Sequence, residues 1–207
     1  MIPKNAHYAM VVDLRRCVGC NACTVACKME NGAPDGYYRS WILQADKGTY
    51  PRVTRVKLNH LCNQCQNPPC VPVCPVNATQ RDEGGIVTIA PKKCIGCGKC
   101  VKACPYNARF LKPGKPTIAD KCNFCFHRVQ GGLLPACVGT CIAQALFFGD
   151  LNDPKSQINR VLSPHKREVL RSELGTKPSL FYIGLQEMLK GFDYGQYIQK
   201  GPFIMTP

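Results

Sequence analysis

The sequence predicts a loop-rich α+β fold, built of short β-hairpins and helical turns in two cysteine-bearing modules with a C-terminal extension. Three observations predict it. Sixteen cysteines fall into four groups of four and stop before residue 152. The apolar runs between the groups are of strand length and are broken by Gly and Pro, as hairpins require. Seventeen prolines and eighteen glycines in 207 residues leave little room for long regular elements.

In chain order, Tyr8-Ala-Met-Val-Val12 reads as a strand ahead of the first quartet, Cys17, Cys20, Cys23 and Cys27. Cys23 and Cys27 are four apart, which places them on one face of a helical turn. The second quartet is Cys62, Cys65, Cys70 and Cys74. After it, Gly84-Gly85 lies between Ala78-Thr-Gln-Arg81 and Ile86-Val-Thr-Ile89 and reads as the turn of a hairpin. The third quartet, Cys94, Cys97, Cys100 and Cys104, again ends in a helical spacing. A second hairpin is predicted from Arg109-Phe-Leu111 through Lys112-Pro-Gly-Lys-Pro116 to Thr117-Ile-Ala119. The fourth quartet is Cys122, Cys125, Cys137 and Cys141, with a strand at Ala145-Leu-Phe-Phe148. Beyond Asn152 the composition is polar and punctuated by proline. Gln157 to Leu162 and Lys166 to Leu174 read as short helices, and the last twenty residues as an extended tail.

A formal net charge of +14 would ordinarily point to nucleic acid or an anionic membrane. Here no nucleic acid is expected, because the sum counts every cysteine as neutral. Four cubane clusters, each carrying roughly −2 with its thiolates, would leave the holoprotein near about +6. The longest late apolar run, Leu180 to Leu185, is far short of a membrane span. The first ten residues have no secretory h-region, and Arg15-Arg16 runs at once into Cys17, so export would depend on a partner's signal.

The first and third quartets have the spacing C-x2-C-x2-C-x3-C; the second widens one gap to four residues and the fourth to eleven. Iron requires soft, deprotonated sulfur, and C-x2-C-x2-C lets three thiolates of one loop reach three corners of a cubane. Zinc sites use C-x2-C pairs but seldom three cysteines at this spacing followed by a fourth. Disulfides fit poorly, since cysteines two residues apart rarely meet bridge geometry. The reading is therefore iron–sulfur ligation. No position carries Trp, Asp or Ser instead of Cys, which predicts [4Fe–4S] centres throughout.

In the bacterial ferredoxin pattern C-x2-C-x2-C-x3-C-P the fourth cysteine ligates the other cluster, so two quartets form an inseparable pair. The stretch from Cys74-Pro75 through the hairpin to Cys94, closed by Cys104-Pro105, has that layout and pairs the second quartet with the third. By elimination, together with the family resemblance below, the first pairs with the fourth, so one ferredoxin-like module is nested within another. The expected ligand sets are Cys17, Cys20, Cys23 and Cys141; Cys27, Cys122, Cys125 and Cys137; Cys62, Cys65, Cys70 and Cys104; and Cys74, Cys94, Cys97 and Cys100. The outer module would span 1–57 and 105–151, the inner 58–104, and a partner-binding extension 152–207.

Lys28, Lys93, Lys102, Lys121 and Arg128 lie beside these cysteines and could raise cluster potentials, or simply be solvated. The four histidines are not at ligand spacing, and Trp41 is better read as core. No phosphate-binding glycine loop and no catalytic triad is present, so no catalytic residues are expected.

With these motifs the chain resembles the iron–sulfur electron-transfer subunits of the molybdopterin bis-guanine-dinucleotide oxidoreductases of the dimethyl sulfoxide reductase family. It is most like those of polysulfide, thiosulfate, tetrathionate and arsenate reductases. The resemblance is carried by Tyr8-Ala-Met-Val-Val-Asp13, Cys17-Val-Gly-Cys20, Ala26-Cys-Lys-Met-Glu-Asn31, Asn67-Pro-Pro-Cys-Val-Pro-Val-Cys-Pro75, Ala103-Cys-Pro-Tyr-Asn-Ala-Arg109, Lys121-Cys-Asn-Phe-Cys125, Pro135-Ala-Cys137 and Phe148-Gly-Asp-Leu-Asn-Asp-Pro-Lys155.

The resemblance implies a wire between a large molybdopterin catalytic subunit, holding molybdenum or tungsten, and an integral membrane quinone-reactive anchor subunit. It implies that the centre of Cys17, Cys20, Cys23 and Cys141 faces the catalytic subunit. It also implies a peripheral membrane complex on the extracytoplasmic face, co-exported with a Tat-signalled partner, the cytoplasmic face being the alternative. Other readings are a free-standing polyferredoxin carrier and a subunit of a formate dehydrogenase or hydrogenase complex. Two departures stand out: Ile142 follows Cys141 where the family usually has Pro, and the tail from Gln186 to Pro207, outside the resemblance, is expected to wrap a partner.

Overall fold

The computed structural model describes residues 2–199. The first half holds β1 (Tyr8–Asp13), α1 (Ala22–Asn31), β2 (Ser40–Thr49), β3 (Arg52–Leu61), β4 (Thr79–Arg81) and β5 (Val87–Ile89). There follow α2 (Lys99–Lys102), β6 (Phe110–Lys112), β7 (Ile118–Asp120), α3 (Phe126–Gln130), α4 (Ala136–Gly139) and β8 (Leu146–Asp150). The extension adds α5 (Gln157–Leu162), β9 (Leu180–Ile183), α6 (Leu185–Leu189) and α7 (Tyr194–Gln199). Tight 3-10 turns lie at Glu83–Gly85, Pro91–Lys93 and Ser172–Leu174.

β1 organises the core. Its uninterrupted apolar run suits a strand buried on both faces, and from Ala9 to Asp13 every residue is buried. It pairs antiparallel with β8, Val12 opposite Leu146, and parallel with β9, Val12 opposite Tyr182. Met10 and Val12 join the main core with Leu58, Ile86, Tyr106, Phe124 and Phe148. Ala9 and Val11 pack instead under Ile158 and Leu162 of α5. Each such buried aliphatic side chain contributes about 1.5–3 kcal/mol, so the extension is part of the fold and not an appendage.

Both hairpins read from the sequence are present: β4 with β5, Gln80 opposite Thr88, and β6 with β7, Leu111 opposite Ala119. The long β2–β3 hairpin, Ser40 opposite Leu61 through to Thr49 opposite Arg52, is an element the sequence reading passed over. Its root is buried and its tip, Arg52 to Arg55, exposed. β9 was also missed.

Two expectations for the extension are corrected. Gln157–Leu162 is helical, but Lys166 to Leu174 is not a helix beyond the 3-10 turn at its end. Glu168 exchanges backbone hydrogen bonds with Tyr182 at 3.2 and 2.7 Å, and this non-local pairing overrides local helix propensity. The tail is not extended through its described part, since α7 occupies Tyr194–Gln199. Leu189, Phe192 and Tyr194 pack on the chain's own core; residues 200–207 of the predicted tail lie outside the described residues.

Candidate metal centres

All sixteen cysteines are free, and the backbone delivers them from loops and the ends of short helices. Cys23 and Cys27 point from α1, Cys100 from α2 and Cys137 from α4. They ring cavities instead of bridging. Cys17, Cys20, Cys23 and Cys141 line one of about 350 Å³. Cys62, Cys65, Cys70 and Cys104 line another of about 310 Å³, and Cys27, Cys122, Cys125 and Cys137 one of about 270 Å³. Cys74, Cys94, Cys97 and Cys100 line the last, of about 300 Å³. Near-equal volumes with the same donor set call for occupants of one kind. Three walls are otherwise almost wholly apolar or backbone, such as Val12, Ile42 and Ala145 beside Cys17. Among the described residues no three Cys, His, Asp or Glu side chains could hold a metal ion between them.

The sulfurs are met by donors. The amide N–H of Ala78 reaches Cys74 Sγ at 3.2 Å and that of Ala145 reaches Cys141 Sγ at 3.2 Å, the same four-residue step in both. Further backbone N–H groups come from Ala119 to Cys94 and from Phe124 to Cys122, each at 3.4 Å. Asn59 Nδ2 donates to Cys23 Sγ at 3.3 Å. Arg109 Nη2 donates to Cys70 Sγ at 2.9 Å. Such donors stabilise thiolate and delocalised negative charge on sulfur.

Burial works in the opposite sense. It pushes the thiols of Cys23 and Cys70 up to about 11 and those of Cys27 and Cys65 to about 12, and raises Cys122 and Cys137 as well. Desolvation disfavours an isolated thiolate, and neighbouring cysteines repel it further. Only Cys74, on the rim, is held below the ordinary thiol range, because backbone N–H groups of Thr79, Val76 and Ala78 outweigh its desolvation. Buried thiols of this kind give up their protons to a strongly cationic body, whose binding is then coupled to folding.

Of the five cations noted beside the cysteines, Lys121 is buried. Lys28 donates to Pro34 O at 2.6 Å and Arg128 pairs with Glu30 at 2.9 Å, while Lys93 and Lys102 are exposed. Trp41 and His60 are core residues, their rings 4.2 Å apart, and burial lowers the His60 imidazole to about 4. The sequence reading missed Arg109, Asn59 and Gln64. Gln64 spans two quartets, donating to Cys122 O at 2.7 Å and accepting from Val87 N at 2.8 Å. Nothing local in the sequence marks these three, since their partners are far along the chain.

The donor set and fold define a ferredoxin-type iron–sulfur protein. A 4Fe-4S dicluster domain model matches residues 53–151, and a 4Fe-4S binding domain model matches 15–30. Over 185 residues the sequence is 50% identical to an iron–sulfur relative from the tetrathionate reductase of Salmonella typhimurium, covering 87% of this protein and 74% of that one. It is 44% identical over 179 residues to a relative from the polysulfide reductase of Wolinella succinogenes (85% and 93%). To the arsenate respiratory reductase iron–sulfur subunit ArrB of a Shewanella species it is 35% identical over 223 residues (84% and 94%). This protein belongs to the family of iron–sulfur electron-transfer subunits of the respiratory reductases.

Proposed function

We propose that this chain holds four [4Fe–4S] clusters in two nested ferredoxin-like modules and relays single electrons through them. The ends of the relay would be a molybdopterin catalytic subunit and a quinone-reactive membrane subunit of a respiratory reductase for a sulfur compound or arsenate. The observation that carries the reading is the cysteine arrangement. In three cavities, three cysteines come from one run and the fourth from another run of the pattern. The fourth cavity inverts this, taking Cys27 from the first run and three cysteines from the fourth.

When bound, a [4Fe–4S] cluster supplies one-electron chemistry with little nuclear rearrangement. The chain's own residues do the rest. Cysteine thiolates hold the irons; Asn59, Arg109 and the amides of Ala78, Ala119, Phe124 and Ala145 donate to sulfur and favour negative charge there. Val12, Ile42 and Val87 exclude water from the cavities. No proton need be held or moved.

The partners are proposed from the relatives, which are named as parts of reductases. Among the described residues no helix is long and apolar enough to cross a membrane, so contact with quinone would pass through another chain. The 152–207 extension and the apolar residues Val18 and Ile142, exposed beside the Cys17–Cys141 cavity, would contribute to docking. An extracytoplasmic location by co-export follows the same analogy.

Purification of the native complex with metal and labile-sulfide analysis tests this. About sixteen iron atoms per chain, four for each centre, with one molybdenum or tungsten in a stoichiometric partner, supports it. A chain that purifies alone with sixteen irons favours the free-standing carrier. A colourless anaerobic preparation ends the iron–sulfur reading.

A further inference from the structure

Arg109 is 3% exposed and Lys121 is 2% exposed. Arg109 Nη2 donates to Cys70 Sγ at 2.9 Å, and its Nη1 donates to Thr79 Oγ1 at 3.3 Å. Lys121 Nζ donates to the carbonyl oxygens of Val87 and Cys122, the latter at 2.8 Å. Neither side chain has a carboxylate partner among the described residues. The charges facing Arg109 are the sulfurs of Cys70, Cys62, Cys100 and Cys104. Those facing Lys121 are Cys62, Cys122 and Cys70, together with Arg109 itself. Two cations held near each other in a dry interior repel strongly and pay a desolvation cost. Such an arrangement is tolerable when an anionic body lies between them, and three of the sulfurs they share ring one cavity.

No other quartet is served this way. Arg39, near Cys27, spends its charge on Asp120 at 2.7 Å. The Cys74, Cys94, Cys97 and Cys100 set receives backbone N–H groups of Ala78 and Ala119. Beside Cys23 the donor is the neutral amide of Asn59.

We infer that Arg109, with Lys121 behind it, sets the potential of the centre ringed by Cys62, Cys65, Cys70 and Cys104 and makes it the most readily reduced of the four. The inference rests on the cluster assignment above. Uptake of one electron there adds one negative charge, forms and breaks no bond, and moves no proton, since a guanidinium does not deprotonate. A fixed positive charge in a low-dielectric site favours that more negative form. Lys121 bonds to Cys122 of one quartet and to Val87 on β5 near another. The electron well therefore lies at the junction of the two modules, where an electron entering from either end pauses before crossing. Arg109 and Lys121 are positioning residues: they touch the ligand sulfurs or their backbone and act through them.

The test is a potentiometric titration of the intact complex followed by electron paramagnetic resonance, with Arg109→Met, Arg109→Lys and Lys121→Met. In Arg109→Met, at the potential where the first-reduced centre of the unmutated protein is half reduced, its reduced-to-oxidised ratio is expected to fall tenfold or more. That corresponds to at least about 59 mV for one electron. The other three centres hold their potentials, and Arg109→Lys recovers most of the loss. Lys121→Met moves the same centre, by less. Full iron content with all four potentials unchanged in Arg109→Met would overturn the inference. Should the variants lose iron, the unmutated complex labelled with 15N-arginine decides. Arginine-nitrogen hyperfine coupling to the first-reduced centre supports the assignment, and its absence overturns it. Iron far below about sixteen in the unmutated complex is read separately and removes the cluster assignment.

Discussion

The Tyr182 hydroxyl donates to the carbonyl oxygen of Asn59 at 2.9 Å, both residues being buried. Asn59 then turns its side-chain amide to Cys23 Sγ. A residue of the C-terminal extension thus props the strand that supplies a sulfur donor. Removing the hydroxyl leaves a buried carbonyl unpaired, which costs about 1–3 kcal/mol. Tyr182→Phe is expected to bleach at a lower temperature than the unmutated protein, followed by visible iron–sulfur absorbance on heating under argon, with full iron content beforehand. Equal bleaching temperatures would show that the prop contributes nothing.

Arg39 and Asp120 form a two-point ion pair, Nη2 to Oδ1 at 2.7 Å and Nε to Oδ2 at 3.0 Å, with side chains only 16% and 11% exposed. Arg39 Nη1 also donates to Asn31 Oδ1 at 2.6 Å, so the pair ties the end of α1 to β7 around the Cys27 cavity. Breaking a largely buried pair from one side costs about 3–5 kcal/mol. Arg55 and Asp46 make a similar pair at the β2–β3 tip, but their side chains are 59% and 51% exposed, where such a pair contributes at most about 1 kcal/mol. Asp120→Asn should therefore lower the denaturant midpoint far more than Asp46→Asn. Equal losses would refute the ranking.

How much of this could be read from the sequence follows from the range of the interactions. The quartets were legible because ligand spacing is local: Cys17-Val-Gly-Cys20 states its geometry within four residues. The β4–β5 hairpin was legible through Gly84-Gly85. The β2–β3 hairpin was not, because Trp41-Ile42-Leu43 is buried at the root while Asp46 and Lys47 belong to an exposed tip, so no single period runs through it. Leu180 to Ile183 could be seen as an apolar run, but its place beside β1 is a contact across some 170 residues. Arg109 lies 39 positions from the sulfur it meets, and no motif announces that pairing.

His7 carries a pH dependence whose sign can be fixed. Burial first, then the charge of Arg81, hold its imidazole below the ordinary value of 6.5, outweighing the pull of Asp150. Its Nε2 lies 3.0 Å from Ser179 Oγ, again in the extension. The unfolded chain then binds more protons than the folded one between the lowered value and 6.5. Stability from this residue is fully present above about 6.5 and is lost as pH falls through that window. Stability measured from pH 8 to pH 5 should fall less steeply in His7→Gln than in the unmutated protein. Parallel curves would mean that His7 titrates alike in both states.

Gly19 and Gly96 hold the same place in two quartets, within Cys17-Val-Gly-Cys20 and Cys94-Ile-Gly-Cys97, and both have positive φ, +76° and +67°. A side chain at either costs roughly 1–2 kcal/mol of backbone strain, so strain alone would make the two alanine variants alike. Their surroundings differ. At Gly19 a Cβ would meet the flexible Lys57 side chain at 3.1 Å, which can move aside. At Gly96 it would be driven into the backbone carbonyl oxygen of Thr117, at the foot of β7, which cannot. The amide of Ala119, two residues on, donates to Cys94 Sγ, so a shift of that backbone also loosens the quartet it serves. Gly96→Ala is therefore expected to lose about four of sixteen irons, while Gly19→Ala retains all of them at slightly reduced stability. Iron analysis of the two variants, prepared side by side without air, decides. Equal retention would mean that Thr117 yields, and that this cavity is softer than its backbone contacts imply.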